Sequence, residues 1–513
     1  MKTKIFVLAL VITCICHVGF AEDGFTPIFD GKTLDGWSAP DMRYWSVEDG
    51  AITARSSEEL PCTRNQFLVW QLGDVDDFEL KLKFRILGTD SANSGIQIRS
   101  QFDDSGHAIG YQADIDRAGQ WLGVLYDEHG RGVLAKRGER TTIDEQGKRV
   151  TSGLKPEQPD VDLDNWNEYQ IIARGPQITL KINGVTTAEV VDQEAGQRDL
   201  WGKLALQIHS GAPLTVQFKD IQFKRLPLTE GRKKIAVLAG GLSHPSGQHE
   251  FNAGVKLLSS RLKENDGVVV ANYHDNGWPA DPTAMDNVDA IVVYADGLTS
   301  HPLRDHLEET NELMRQGVGL MCMHYAVHVE PGVAGDHFKR WIGGHYESDF
   351  STNPMWNAEL KANPQHPVSR GAAKDETIND EWYFSIRFAD ESKNVTSLLS
   401  AVPSKETRSM NGWPRKAYPH IIADGGKSET LMWAIERTDG GRGVGFTGGH
   451  WHHNWGSDLQ RNTVLAAMLW VAGVEVPAEG VASRAVSEEE LNVNLDPKQN
   501  QVRVRLPDNP QPQ

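Results

Sequence analysis

Cysteine is scarce in this chain, four in 513 residues, and Cys14 and Cys16 fall inside an N-terminal apolar stretch. Cys62 and Cys322 are left, far apart in sequence. A disulfide framework is thereby excluded, and each thiol is expected to be a small buried hydrophobe. Positive charge is in deficit: 52 Lys and Arg face 70 Asp and Glu, a formal net charge of −18. No basic excess is available to neutralise phosphates, which argues against a nucleic-acid partner. Beyond the N-terminal stretch no apolar run reaches the length of a membrane span, so the mature chain is expected to have none. Motifs that would declare a chemistry directly are missing as well. There is no HExxH, no paired-Cys zinc motif and no Gly-rich dinucleotide fingerprint, and Cys322 in "GLMCMHYA" lacks the glycine-flanked turn of a nucleophile elbow. No internal repeat or low-complexity domain is found.

What is present begins with a processing signature. "MKTK" is a basic n-region, "IFVLALVITCICHVGF" an apolar h-region, and small residues precede a cut after Ala21. Residues 1–21 therefore read as a cleaved secretory signal, and the mature protein as secreted or periplasmic. At 513 residues the chain is too long for one ordinary core, and 39% apolar content with mixed charge suits soluble globular domains. The 15 tryptophans are mostly expected in those cores, with a minority free to stack on flat apolar ligand faces such as sugars.

Two textures divide the mature chain. Over 22–229 the pattern has period two: "FELKLKFRIL" alternates Phe78, Leu80, Leu82, Phe84 and Ile86 with charged residues, and "SGIQIRS", "GYQADID", "QITLKING" and "KLALQIHS" repeat it between turn signals. Many short antiparallel strands without helices predict an all-β jelly-roll sandwich of the concanavalin or lectin type. Over 230–480, "KIAVLAGG", "GVVVAN", "AIVVYADG", "VGLMCMH" and "GVGFTGGH" are continuous apolar runs that alternate with amphipathic segments such as "FNAGVKLLSSRLKEN". That alternation predicts a doubly wound, flavodoxin-like parallel α/β domain. Residues 481–513, rich in Pro, Gln and acid, read as an extended tail.

On the sandwich, three strands carry unusual polar faces: Gln97 and Arg99; Gln112, Asp114 and Asp116; Gln207 and His209. Amides, an Arg, paired carboxylates and a His suit sugar hydroxyls, and adjacent strands would pave one face with them. Asn93 in "NSG" and Tyr126 in "LYDEHGRG" add turn-located groups. An ordinary solvated sheet face is the bland alternative. Asp114 and Asp116, about 6–7 Å apart along a strand, approach the spacing of glycosidase carboxylates. The pieces "FTPIFDGKTLDGWS", "FRILGTDSANSGIQIRS", "GYQADID", "WNEYQIIARGPQITLKINGV" and "GKLALQIHSGAPLTVQFKDIQFKRL" together resemble the 3-keto-disaccharide hydrolase domain family. The resemblance implies cleavage of glycosides already oxidised at C3, by hydrolysis or by elimination and hydration. A C3 ketone acidifies the C2 proton, so a base could remove it and expel the C1 substituent. Asp114 or Asp116 is the expected base, with Arg99 or His209 as enolate or leaving-group partner. In one departure, the family's pattern places Glu where Gln112 stands, which leaves the base open and keeps a purely binding role in play.

In the second half, ligands are expected beyond the carboxyl ends of the strands. There the sequence sets His244, His249 and Glu250; His274 and Asp275; Asp296; His324 and His328; and "HWHHNW", with His450, Trp451, His452, His453 and Trp455. One such His is ordinarily a loop residue; their joint placement at one edge predicts a shared cleft. Neutral imidazoles with a carboxylate suit a divalent, Zn-like metal, for which His244, His249, His324 and His450 are the candidates, while acid/base work by the same histidines stays open. His452 and His453 are expected on the rim, with Trp451 or Trp455 as a stacking face. The pieces "GGLSHPSGQHE", "VVYADG", "GVGLMCMHYA", "WIGGHYES", "DEWYF" and "GRGVGFTGGH" resemble the trehalose-utilisation (ThuA-like) family, a glutamine-amidotransferase-like fold without the amidotransferase Cys. The resemblance places His244, His249, His324, Asp380, Glu381 and His450 around its cleft.

Three functions follow as alternatives: an exported enzyme acting on 3-keto-glycosides or disaccharides with both halves on related sugars; a carbohydrate-binding sandwich attached to a catalytic ThuA-like domain; or an ordinary glycoside hydrolase using Asp114 and Asp116. In the first, a separate sugar 3-dehydrogenase upstream would make the ketone.

Overall fold

The computed structural model describes residues 24–507 except 104, 155–158, 265–266, 275, 373–374, 390–393 and 411–416. The expected leader (1–21) and Asp275 lie outside the described residues. Period-two alternation gives what it predicts: a ten-stranded and a seven-stranded sheet face each other. Phe78, Leu80, Leu82, Phe84 and Ile86 point into the core between them, together with Ile96, Ile98, Tyr111, Ala113 and Ile115 from the opposing sheet. In the seven-stranded sheet the strands Leu125–Glu128, Ala108–Asp116, Asn93–Phe102 and Lys203–Ile208 are consecutive neighbours. The strands whose polar faces the sequence singles out are therefore adjacent.

The second half contains a nine-stranded sheet. Its first five strands, Val268–Tyr273, Lys233–Ala239, Ala290–Tyr294, Gly319–Met323 and Arg442–Phe446, are parallel. Their continuous apolar sequence follows from burial on both faces. Four antiparallel strands then extend the sheet, ending at Glu376–Glu381. The expected parallel α/β sheet is present, and this antiparallel extension lies at its edge. It has a local cause: Glu429–Glu436 and Arg442–Phe446 form a hairpin across a short Asp439-Gly440-Gly441 turn, too short for a helical crossover. Cys62 and Cys322 are free and buried, and burial drives the Cys322 thiol far above its ordinary pKa. No helix among the described residues is long and apolar enough to cross a membrane.

The stretch expected to be an extended tail is docked on the α/β domain. Val481, Val486, Leu491 and Val504 join the core of the α/β domain, and Ser487 with Glu490 forms a capping box on a short helix, Glu488–Leu491.

Buried charge joins the two halves. Arg225, on the last sandwich strand, reaches Asp281 at 2.7 Å and Asp76 at 3.2 Å; Lys234 reaches Asp76 at 3.0 Å. Beside them Arg232 and Arg99 share Asp77, at 2.7 and 2.8 Å. Removing one member leaves its partners charged and dry. Arg225→Ala is expected to destabilise the protein by about 3–5 kcal/mol, a loss to be read as a lowered calorimetric Tm.

Candidate functional site

A cleft of about 510 Å³ opens on the seven-stranded sheet, lined by Asn93, Gln112, Asp114, Asp116, Trp121, Tyr126, Glu128, Gln207 and His209 among others. Register explains the grouping: Gly95 lies opposite Asp114, Asn93 opposite Asp116, and Gln112 opposite both Gln97 and Tyr126. Gly95 is required where it stands, because a Cβ there would come within 2.6 Å of the Gln112 amide. That amide lies in a directional chain. Ser100 Oγ donates to Gln97 Oε1 (2.7 Å), Gln97 Nε2 to Gln112 Oε1 (2.8 Å), and Gln112 Nε2 to Asp114 Oδ1 (2.5 Å). Gln97 thus sits behind the cleft rather than in it, supporting Gln112.

The carboxyl groups are not equivalent. Burial pushes Asp114 up to about 8, against the Gln112 hydrogen bond and with help from the nearby charges of Glu128 and Asp116. Asp116 accepts from the backbone N–H groups of Gln120, Trp121 and Leu122 at 3.1, 2.9 and 2.6 Å. It therefore orders the 117–122 loop, while Asp114 shares the cleft with a further carboxyl, Glu128. Burial raises Glu128 above the ordinary Glu range, while His129, His209 and His107 pull it back. Sequence reasoning did not single out Glu128; its signal was the alternation of Tyr126 and Glu128 along Leu125–Glu128.

Arg99 does not join the cleft. A bulge between Ile98 and Gln101, where Arg99 has φ 50°, breaks the alternation. The guanidinium instead binds Asp77 Oδ1 and the carbonyls of Asp76 and Gly175. His209 stands half-buried at the cleft wall with Nδ1 2.7 Å from the Ser210 carbonyl. Gln207 is fully buried, yet neither Oε1 nor Nε2 has a hydrogen-bond partner. A buried amide left unpaired at a cleft is costly, and a ligand would relieve it.

The α/β domain has a second constellation. His249, His324 and His450 follow parallel strands, and Glu381 ends the last antiparallel strand. Their ligand atoms all lie within 4.8 Å of one another. His249 Nε2 is 3.0 Å from His324 Nε2 and 3.0 Å from His450 Nδ1; Glu381 Oε2 is 3.3 Å from His450 Nδ1 and 3.7 Å from His324 Nε2. Ligand atoms on a tetrahedral zinc with bonds of about 2.0–2.1 Å sit about 3.3 Å apart.

Hydrogen bonding fixes which lone pairs point inward. The Thr447 carbonyl, an obligate acceptor, lies 2.9 Å from His324 Nδ1, and the Asp296 carboxylate lies 2.8 Å from His249 Nδ1. Both protons are thereby assigned to Nδ1, which turns bare Nε2 lone pairs toward each other. Burial and the neighbouring histidines keep these rings neutral, holding His324 down at about 3 and His249 well below its ordinary value. Two facing lone pairs at 3.0 Å repel unless a cation lies between them. The residues fit a divalent metal, with Asp296 orienting His249 and Asn353 holding Glu381 Oε1 at 3.0 Å.

Several expectations change here. Glu381 rather than His244 completes the group of four that could hold an ion; His244, exposed, lies against His249 with ring centroids 3.6 Å apart and forms a second such group with His249 and Asp296. Asp296, expected to bind substrate, orients a ligand. Asp380 is fully buried and accepts from the N–H groups of Gly449, His450 and Trp451, shaping the loop. His452 and Trp455 are buried rather than on the rim, whereas Trp451 and His453 stack on each other half-buried at the edge. His274 pairs with Asp496, and His328 binds Ser348.

Residues 24–224 match the family described as 3-keto-alpha-glucoside-1,2-lyase-like domain, and residues 236–471 match trehalose utilisation, ThuA. The chain carries a 3-keto-alpha-glucoside-1,2-lyase-like domain followed by a ThuA domain. It is thus a two-domain protein of carbohydrate-active families. Among solved structures, the lyase-like domain is similar to a candidate glycosyl hydrolase from Parabacteroides distasonis (19% identity, 40% of this chain, 94% of that one, TM-score 0.27). It is also similar to the carbohydrate-binding module CBM66 from Bacillus subtilis (14% identity, 37% and 95%, TM-score 0.27). The ThuA domain is similar to a candidate ThuA-like protein from Bacteroides uniformis (16% identity, 48% and 94%, TM-score 0.35). No curated protein matches the chain.

Proposed function

We propose that the lyase-like domain cleaves 3-keto-glycosides, with Glu128 as base and Asp114 as acid. The supporting observation is a single cleft that holds a carboxyl kept protonated to about 8, a second carboxylate, and a buried amide with both atoms unpaired. In the elimination, the C2 proton passes to the Glu128 carboxylate and the C–H electron pair forms the C1=C2 bond, conjugated with the C3 ketone. The C1–O bond breaks, and its oxygen takes the Asp114 proton. Gln207 Nε2 and His209, both in the cleft lining, would hold the enolate oxygen as charge develops. Addition of water to the enone then gives the free 3-keto sugar, so that elimination and hydration sum to hydrolysis. A separate sugar 3-dehydrogenase would supply the ketone.

In the ThuA domain, His249 Nε2, His324 Nε2, His450 Nδ1 and Glu381 Oε2 would hold a divalent, Zn-like ion acting on the same or a related sugar. Bound there, the ion supplies Lewis-acid polarisation of a sugar carbonyl or hydroxyl. Trp451 offers a half-buried ring at the edge of the site for the sugar face.

The test offers the full-length protein a plain aryl glycoside and its 3-keto form, with products followed by mass spectrometry. Turnover of the 3-keto form alone is the expected result, and equal release from the plain glycoside would sink the proposal. The pH profile carries a sign. Asp114 holds its proton below about 8, so activity falls as pH rises through that value; protonation of Glu128 sets the acid limb. Asp114→Asn removes the alkaline limb along with most of the rate, because Asn has no proton to donate.

A further inference from the structure

Residues after 471 belong to neither matched family segment, yet they cross directly over the turn that carries His249. Between Asp496 and Val504 the chain follows the 246–250 loop at close range. Asp496 N–H donates to Glu250 Oε2 (2.9 Å), Val502 N–H to Ser246 Oγ (3.1 Å), and Val504 packs over Gly247. At the centre Lys498 Nζ donates to the carbonyls of Gln248 and His249, the latter at 3.0 Å, and lies 3.4 Å from Glu250 Oε1. The Lys498 side chain is 4% exposed. Ordering and burying a lysine is unfavourable unless its three donors are all used, and here they are spent on one turn.

That turn needs the support. His249 sits in the left-handed region (φ 46°), a strained conformation for a non-glycine residue, and His244 does the same at φ 54°. Gly247 N–H is tied at 2.8 Å to the same Glu250 Oε1 that Lys498 Nζ approaches, so Lys498 and Glu250 brace the turn together. The strap also touches the other histidine loop, where Leu506 occupies the space beside Gly456. One strand of tail thus bears on the loops of two of the four facing groups.

We propose that Lys498 is a positioning residue for the metal group, fixing the His249 turn so that its imidazole faces His324 and His450. The proposal rests on the metal reading above. It predicts that the C-terminal strap is part of the ThuA domain's site and not a dispensable tail.

The test is zinc affinity of the full-length protein, measured by competition with a chromophoric chelator. Lys498→Met and Lys498→Gln are compared with the parent and with Arg503→Ala, an exposed strap residue facing Glu489. Loss of an outer-shell partner typically weakens a metal about 10–100-fold, and that loss is expected for Lys498→Met, a smaller one for Lys498→Gln, and none for Arg503→Ala. The melting temperature of each chelator-treated variant is read in parallel. A purely structural lysine would lower that temperature while leaving zinc affinity where it was, and this outcome overturns the proposal. If Lys498→Met does not fold, Lys498→Gln and Val502→Pro, which removes the Ser246 hydrogen bond at an exposed position, decide it by the same readout. A parent that binds no zinc defeats the metal reading itself, and the proposal with it.

Discussion

A Glu128→Gln variant will process a 3-keto-glycoside about 10²–10⁴ times more slowly than the parent, with KM little changed. Gln keeps the shape and the hydrogen-bonding reach of the side chain but cannot accept the C2 proton. The expected loss is therefore in kcat, and the acid limb of the pH profile should vanish with it. Asp116→Asn serves as the contrast. Its carboxylate is committed to three backbone amides, so the variant should lose stability in the 117–122 loop while keeping the shape of the pH profile. If Glu128→Gln retains parental kcat and Asp116→Asn abolishes it, the assignment of the base is wrong.

His324→Ala carries the second large effect. The residue is wholly buried and supplies one of two inward lone pairs, so its removal leaves three candidate ligands and a hole. Zinc affinity should fall by at least about 100-fold, the upper end of what an outer-shell partner costs. A protein saturated at a hundred times Kd gains about 2.7 kcal/mol from its ligand. Chelator should therefore lower the parent's melting temperature and leave that of His324→Ala almost unmoved. Equal sensitivity of the two proteins to chelator would show that the ion, if bound, sits elsewhere.

The fold was legible wherever one rule governed a whole element. Period two marked Phe78–Gly88, and unbroken apolar runs marked the five parallel strands, because burial on one or two faces acts on every residue of the strand. Contacts set by a single register or a single bulge were not legible. Arg99 belonged to the polar face by parity, and one shifted residue sent it to Asp77. Asp116 and Asp114 looked alike at a spacing of two; the loop folded over Asp116 gives it three backbone amides, whereas burial pushes the Asp114 pKa up. The histidines were placed at the right edge by the topology of the α/β sheet. Glu381 came from resemblance, because it arrives on the antiparallel extension that the helix-strand rhythm did not announce. Glu128 was visible as half of an alternating pair but lay in a segment read as a turn.

The buried charges between the halves have a consequence for how the two sites can work together. Arg225–Asp281, Lys234–Asp76 and Arg232–Asp77 cross from one half to the other and are almost fully buried, so parting the halves would require breaking all three pairs together. Paired ions at the seam favour one orientation of the halves, so the two clefts are expected to keep fixed directions relative to each other.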